Sequence, residues 1–195
     1  MVTPVPPSDI TPADFFERWL PEQYQAMRAN LAGVPPDGVI RIELTGDQGG
    51  VWVLRLSGGD LAVAVGAGDG PANIEIRQSV VDWRQITTRA AAEGGDPTSA
   101  ASIDRLLASP ALGQLFHSVK GTIRVQISGL EGRDFSAEIT FGGAAEPSTG
   151  ISVDADTLEQ IRSGALPAPQ AFFSGRIQIT GEPALAMQVG MAFMS

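Results

Sequence analysis

The sequence predicts an α+β fold, in which helices cover one side of a predominantly antiparallel, mixed sheet of about seven strands. Short segments that alternate polar and apolar residues recur along the chain, and tight turns rich in Gly and Asp separate several of them. Segments with helical spacing lie before, between and after these strands. Hydrophobic residues make up 43% of the 195 residues, which is typical of a globular protein that can bury a sizeable core.

The sequence of the N-terminal region is typical of a tail followed by an amphipathic helix. Residues 1–11 are rich in proline and are expected to be a mobile tail, so that a single domain spans residues 12–195. Thr11 has the position of an N-cap, and Pro12 has that of the first helical residue. Aromatic residues form the inner face of this helix, and Pro21 is expected to break or kink it.

Seven segments alternate with the period of a β-strand, at residues 39–44, 51–56, 61–65, 73–77, 122–127, 135–141 and 176–180. A helix is predicted after the fourth strand, with Ser79 as its N-cap and Asp82 at the third helical position. Residues 99–119 have the pattern of one interrupted helix or of two helices. Residues 142–150 are interpreted as a loop.

The closing segment, residues 166–194, predicts a loop, a strand and a helix. Pro167 and Pro169 are expected to keep the backbone extended before the strand at residues 176–180. A helix is expected to begin at Pro183. The missing N–H of proline has no consequence there, because the first N–H groups of a helix have no intrahelical acceptor. Because this helix is apolar nearly all round, it must be covered nearly all round.

The closing helix carries two neighbouring apolar stripes. Leu185 and Val189 belong to one stripe, and Met187, Met191 and Met194 belong to the other. One stripe can pack on the sheet, and the other needs a second apolar surface, which is either protein or ligand. Methionine suits a surface that adapts to varied shapes, although a methionine stripe is also an ordinary part of a hydrophobic core.

The C-terminal residues resemble a known family. Its pattern is an acid-capped helix, a Ser-Gly turn, an aromatic residue and glycine before a strand, and an apolar closing helix. The matching residues are 152–158, 163–164, 171–179 (AFFSGRIQI), Gly181 and 185–187. They are similar to the C-terminal half of a sterol carrier protein 2 (SCP-2-like) domain. Arg176 stands where that family usually has Lys, which keeps the positive charge.

This resemblance implies a mixed sheet covered by helices, with a hydrophobic tunnel between them. The implied function is that of a soluble binding or carrier protein for a lipid, a fatty acyl chain, a sterol or an isoprenoid, and the sequence does not decide among these ligands. The candidate ligand-binding residues are apolar side chains that are expected to line the tunnel. They are Phe172, Phe173, Met187, Met191, Leu158, Ile161, Leu166 and Trp83.

Two other functions stay open. The first alternative is an interaction module that docks a partner enzyme or a second copy of itself. The second is an enzyme that acts on a hydrophobic substrate, with Asp82 or His117 as acid or base. We expect no catalysis, because the sequence lacks a phosphate-binding loop and a recognisable nucleophile with its base. With no cysteine and one histidine, neither a cofactor nor a metal site is expected.

The charge balance restricts the partners. The formal net charge is −9, with 13 basic against 22 acidic residues, which argues against nucleic acid and anionic membrane surfaces. No apolar run approaches the roughly 18 residues of a membrane span, and the first residues lack the pattern of a signal peptide. A cytoplasmic location is therefore expected.

Two parts of the chain align with each other. The aligned residues are 40–46 with 123–129, Trp52 with Phe135 and, after a deletion, Ser79 with Asp154. The alignment suggests two pseudo-repeat units, residues 39–93 and 121–195, which arose either by duplication or by chance similarity between amphipathic hairpins. A duplication predicts hairpins of equal register, with Trp52 and Phe135 in equivalent places.

Overall fold

The computed structural model describes residues 6–28, 34–68, 70–92, 106–107, 109 and 111–194. The helical elements are α1 (Pro12–Asp14), a π-helical segment (Phe15–Trp19), α2 (Leu20–Arg28), α3 (Val80–Ala92), α4 (Leu112–His117), α5 (Ala155–Arg162), α6 (Ala168–Phe173) and α7 (Pro183–Met194). The strands are β1 (Gly38–Thr45), β2 (Gly50–Ser57), β3 (Asp60–Val65), β4 (Ile74–Ser79), β5 (Gly121–Leu130), β6 (Arg133–Phe141), β7 (Ser148–Asp154) and β8 (Ile177–Gly181).

The strands form one eight-stranded sheet in the order β3-β2-β1-β4-β6-β5-β7-β8. The pairs β1–β4 and β5–β7 are parallel, and the other neighbours are antiparallel. The predicted α+β class is therefore confirmed. The additional strand is β7, part of which the sequence interpretation assigned to a loop, because Ser148, Thr149 and Gly150 lack the apolar alternation of the other strands.

The sheet has one apolar and one polar side. Ile40, Ile42 and Leu54 point toward the helices and are buried. Charged side chains occupy the opposite side, where Arg77 donates to Glu43 at 2.8 Å. Further pairs on that side are Arg41–Glu75 at 2.6 Å and Arg124–Glu138 at 2.8 Å. The helices are therefore expected to supply the apolar cover, and the open side is solvated.

The N-terminal helix begins where the sequence predicts but does not end at Pro21. Thr11 Oγ1 accepts a hydrogen bond from Asp14 N at 3.1 Å, and Pro12 opens the helix. The chain then makes a π turn, in which Leu20 N donates to Phe15 O, and continues as helix to Arg28. The wider π turn precedes the proline and changes the backbone spacing that a proline ring would otherwise meet. Of the expected break or kink at Pro21, the break does not occur, and the helical spacing continues through Tyr24 and Met27.

Residues 168–173 are also helical, although two prolines led us to expect extended backbone. Pro167 is the N-cap of α6, with φ −61° and ψ 134°, and Pro169 lies in the first turn. The first turn of a helix tolerates proline because its N–H groups have no intrahelical acceptor. The helix ends at Phe173, and Gly175 then turns the chain with φ +75° into β8.

The two proposed repeat units share a layout but not a hairpin register. In each unit the first strand of a hairpin pairs in parallel with a strand that leads into a helix. However, Ile42 lies opposite Trp52, whereas the residue aligned with Ile42, Val125, lies opposite Ala137. Phe135 lies opposite Ile127 instead. The gap-free alignment through the turn is therefore wrong by two residues, and the structure does not show a duplication.

Different turns explain this shift. The β1–β2 connection comprises residues 46–49, whereas β5 and β6 are joined by residues 131–132 and carry an irregularity between Ile127 and Leu130. The helix caps do agree with the alignment. Ser79 pairs with Thr45 at the end of β4, and Asp154 pairs with Ser128 at the end of β7.

Asp154→Ala is expected to destabilise α5 by about 1 kcal/mol, which is the usual contribution of an N-cap. Asp154 Oδ1 accepts from Thr157 N at 2.7 Å, and Oδ2 accepts from the Thr157 hydroxyl at 2.7 Å. These hydrogen bonds hold the pKa of Asp154 below its ordinary value of 3.8. The contribution is therefore complete at neutral pH and is lost as the pH falls through 3.8 toward the lower folded pKa.

Urea unfolding at pH 7 and at acidic pH checks this expectation. The difference between wild type and Asp154→Ala should shrink in acid. Asp156→Ala is the control, because Asp156 lies in the first turn of the same helix without capping it. Equal and pH-independent effects of the two substitutions would contradict the capping role.

Candidate functional site

An aromatic cluster fills the space between the helices and the first half of the sheet. Phe15 and Phe16 come from the π-helical segment and are 2% and 0% exposed. The Phe16 ring stacks on Trp52 with a centroid distance of 4.8 Å and an interplanar angle of 26°. Trp83, from α3, lies edge-on to Phe15 at 5.3 Å. In this half the protein's own side chains cover the sheet.

The second half of the sheet is covered less completely. Six side chains that point toward the helices from β5, β7 and β8 are only partly buried, whereas Ile123 and Thr149 on the same face are buried. The six are Val125, Ile127, Ile151, Val153, Ile177 and Ile179, of which Val125 and Ile151 pack against the core cluster. Strands β5 and β7 are interior strands, as β1 and β2 are, so a position at the sheet edge does not explain their exposure. We define these six residues as the exposed apolar floor.

The helices beside this floor begin at opposite ends of the sheet. Helix α5 starts directly after Asp154, at the end of β7. Helix α7 starts after Gly181, which pairs with Thr149 near the beginning of β7. Both helices contact β5 and β7. The exposed apolar floor therefore lies along the strands whose two ends carry α5 and α7.

The two stripes of α7 have different surroundings. Leu185 is 2% exposed, and Val189 packs against the same core cluster. Gln188 Nε2 donates to Ser118 O at 2.9 Å, which ties this face of the helix to the segment after α4. Met187 projects from the other face, about 200° from Leu185 around the helix axis, and is 65% exposed. The methionine stripe therefore has no complete protein cover at Met187.

The remaining predicted site residues, apart from Met191, fall into three groups. Leu158, Ile161 and Leu166 are partly buried on or just after α5. On α6, Phe172 is 44% exposed and Phe173 is 85% exposed.

The Phe172 and Phe173 ring centroids lie 5.7 Å apart. Trp83 belongs to the aromatic cluster of the first half. The side chain of Met191 lies outside the described residues. That these residues bind a ligand together stays a prediction.

Sequence reasoning emphasised the closing helix and missed most of the exposed apolar floor. Ile177 and Ile179 carried a usable signal, since they alternate in a recognisable strand. Ile151 and Val153 lie on β7, which was not predicted as a strand. Burial at this floor depends on which helices cover it, and alternation along a strand carries no information about that.

The candidate acid–base residues have structural surroundings. Asp82 is 8% exposed, and its carboxylate accepts from the Ser79 hydroxyl at 2.6 Å and from Ser136 N at 3.4 Å. Asp82 N also donates to Ser79 Oγ at 3.0 Å, as the predicted cap requires. His117 is exposed at the end of α4.

Within the residues that the structure describes, we find no helix long and apolar enough to cross a membrane.

Comparison with known proteins gives a family match for the C-terminal part of the chain. Residues 100–194 match the SCP-2 sterol transfer family. No curated protein is similar enough in sequence to count as a relative.

The solved structures that are similar to this chain at low identity include the following three. The sec-alkylsulfatase Pisa1 from Pseudomonas sp. is 14% identical over 95% of this chain, with a TM-score of 0.27, and this chain spans only 16% of its length. A conserved hypothetical protein from Thermus thermophilus is 14% identical, over 59% of this chain and 87% of its own, with a TM-score of 0.36.

The third is sterol carrier protein domain 2 of Helicoverpa armigera. It is 16% identical over 67% of this chain and 97% of its own, with a TM-score of 0.33. Residues 100–194, just under half of the chain, carry the sequence pattern of the SCP-2 sterol transfer family, and the resemblance seen in the closing segment is therefore confirmed.

Proposed function

We propose that this chain binds a hydrophobic small molecule on the exposed apolar floor, beneath α5 and α7. The observation that carries the proposal is the uneven burial of the sheet. Ile40 and Leu54 are fully buried in the core cluster that contains the aromatic residues, whereas Ile127 and Val153 on comparable interior strands are only partly buried and do not pack against that cluster. A ligand would supply the cover that the N-terminal helix supplies in the first half.

The energetics of such a site favour apolar ligands of loosely defined shape. Burial of apolar surface contributes about 25 cal/mol per Å². A ligand that buries about 300 Å² would gain several kcal/mol before the entropic cost of binding. Few polar groups accompany the floor, so fatty acyl chains, sterols and isoprenoids all fit the proposal. The family description, which concerns sterol transfer, supports the same class of ligand.

We also propose that binding occurs without catalysis by this chain. Asp82 is engaged in capping α3 and in a hydrogen bond from β6. His117 lies on the surface at the end of α4. A reaction that His117→Ala abolishes while the fold stays intact would contradict this part of the proposal.

The exposure of Phe173 favours a second candidate function, in which the C-terminal helices dock a partner protein or a second copy of the chain. Phe173 is 85% exposed and lies beside Phe172, which is 44% exposed, and neighbouring exposed apolar side chains are typical of interaction sites. We place this function second because it does not explain why the floor of the sheet is exposed.

For a ligand that extends from the floor to the outer face of α7, Met187→Glu should weaken binding by at least about tenfold and leave folding nearly unchanged. Because Met187 is 65% exposed, the substitution should change stability by no more than about 0.5 kcal/mol. A charge beside a bound hydrocarbon is costly because it loses water. Displacement of a fluorescent long-chain fatty acid measures the first effect, and thermal melting measures the second.

Val65→Glu is the matched control, since Val65 is 67% exposed on the edge strand β3 at the other end of the sheet. Its affinity for the probe should equal that of wild type. Equal losses in the two variants would remove Met187 from the site. A wild type that binds no probe would contradict ligand binding and favour the docking function instead.

A further inference from the structure

One side chain on α3 has a buried polar atom that the fold leaves without a partner. Gln85 is 7% exposed, and its Nε2 donates to Leu130 O at the end of β5. Its Oε1 is buried and receives no hydrogen bond from the part of the chain that the structure describes. A buried acceptor without a donor is destabilising, because no hydrogen bond compensates for the loss of water. Such atoms are uncommon in native proteins, and each calls for an explanation.

Gln85 lies at the border between the filled half and the open half of the sheet. Helix α3 packs against β1, β4 and β6, and a hydrogen bond from Ser136 N to Asp82 attaches its first turn to β6. Leu130 lies three residues beyond Ile127, past the irregularity in the β5–β6 pairing. Ile127 pairs with Val153 in the exposed apolar floor. Gln85 is therefore bonded to the end of the strand that carries Ile127.

The other buried side-chain atom without a partner, among the described residues, is Trp83 Nε1. Trp83 and Gln85 are two positions apart, so they project about 200° apart around α3. Trp83 packs among Phe15 and Phe16 of the first half, whereas Gln85 is bonded to the end of β5 in the second half. Of the two unpaired atoms, the oxygen of Gln85 therefore belongs to the side chain that is attached to the second half of the sheet.

We propose that Gln85 Oε1 accepts a hydrogen bond from a hydroxyl group of the bound lipid, an inference that rests on the proposed function. The side-chain amide is held by its own donor to Leu130 O, so its oxygen has a fixed direction. An amide oxygen only accepts, which selects ligands that carry a donor. An ether or an ionised carboxylate has no hydrogen to give. Gln85 also lies outside residues 100–194, so the family match does not assign it this role.

Competition between 1-dodecanol and its methyl ether tests the proposal. The two probes have the same chain and the same oxygen, but only the alcohol donates a hydrogen bond. Each displaces the fluorescent fatty acid from the wild-type protein. The alcohol should bind about 2- to 10-fold more tightly than the ether, as expected for one hydrogen bond between neutral groups.

Gln85→Met should abolish this preference while it keeps the affinity for the ether. The matched control is Gln126→Met, on the exposed polar side of β5, which should retain the preference. Thermal melting checks that both variants are folded. The measurement on wild type stands even if Gln85→Met does not fold.

The outcomes separate the two proposals. A wild type that binds both probes equally overturns the role of Gln85 but leaves the proposed function standing. A preference that survives in folded Gln85→Met does the same. A wild type that binds neither probe, nor the fluorescent fatty acid, overturns both.

Discussion

Phe16→Ala is expected to lower the free energy of unfolding by about 3–5 kcal/mol, as deletion of a large buried aromatic side chain does. Phe16 is 0% exposed and contacts three aromatic rings, those of Phe15, Trp52 and Trp83. The loss combines the transfer free energy of the ring with the cavity that remains. It is a large share of the roughly 5–15 kcal/mol that stabilises a typical domain.

Urea unfolding measures this effect, and Phe173→Ala is its control. Phe173 is the same residue type at 85% exposure, so its removal should change stability by no more than about 0.5 kcal/mol. Folded Phe16→Ala should still bind the fluorescent fatty acid with wild-type affinity, because the aromatic cluster lies in the half that is already filled. Similar losses for the two variants would show that the N-terminal helix does not stabilise the sheet as described.

Ile179→Glu is expected to reduce ligand affinity by at least about 100-fold, because contact with a hydrophobe would strip water from the new carboxylate. Ile179 lies on β8 opposite Ile151, within the exposed apolar floor. It is only partly buried and lies on an edge strand. The accompanying loss of stability should therefore be about 1–2 kcal/mol, toward the middle of the range for single substitutions.

Gln178→Glu supplies the matched control for Ile179→Glu. It introduces the same charge one residue away, on the opposite and exposed side of β8. Its affinity should equal that of wild type. If the two variants bind equally well, the ligand does not lie on the exposed apolar floor.

Local signals in the sequence predicted much of the fold. Alternating segments located seven of the strands, and the caps at Thr11, Ser79 and Asp154 all form with the expected hydrogen bonds. These signals are reliable because they depend on neighbours three or four residues away. The helix at residues 168–173 was missed because two prolines were interpreted without regard to their place in the first turn.

Long-range pairing could not be predicted in the same way. The parallel strand β7 gains its place from β5, and its sequence around Gly150 carries little strand pattern of its own. The register of the β5–β6 hairpin depends on an irregularity between Ile127 and Leu130 that no pattern announced. Because of this shift of two residues, Phe135 and Trp52 do not occupy equivalent positions in their hairpins.

The candidate site was predicted in kind rather than in detail. The apolar closing helix was expected to be covered nearly all round; Leu185 and Val189 do pack against the core, whereas Met187 is 65% exposed. Trp83 was grouped with the ligand-binding residues, yet it packs beside Phe15. Which half of the sheet is filled depends on where the N-terminal helix docks, and this is a property of the tertiary structure.

Native mass spectrometry of the purified protein, mixed with a long-chain fatty acid, tests most directly whether the exposed apolar floor binds a hydrophobe. Wild type and Gln178→Glu should each show a one-to-one complex, which Ile179→Glu should lack under the same conditions. A single ligand per chain is expected, because the aromatic side chains of Phe15 and Phe16 already occupy the first half of the sheet. A wild type without any complex, or a complex that Ile179→Glu retains in full, would contradict the account.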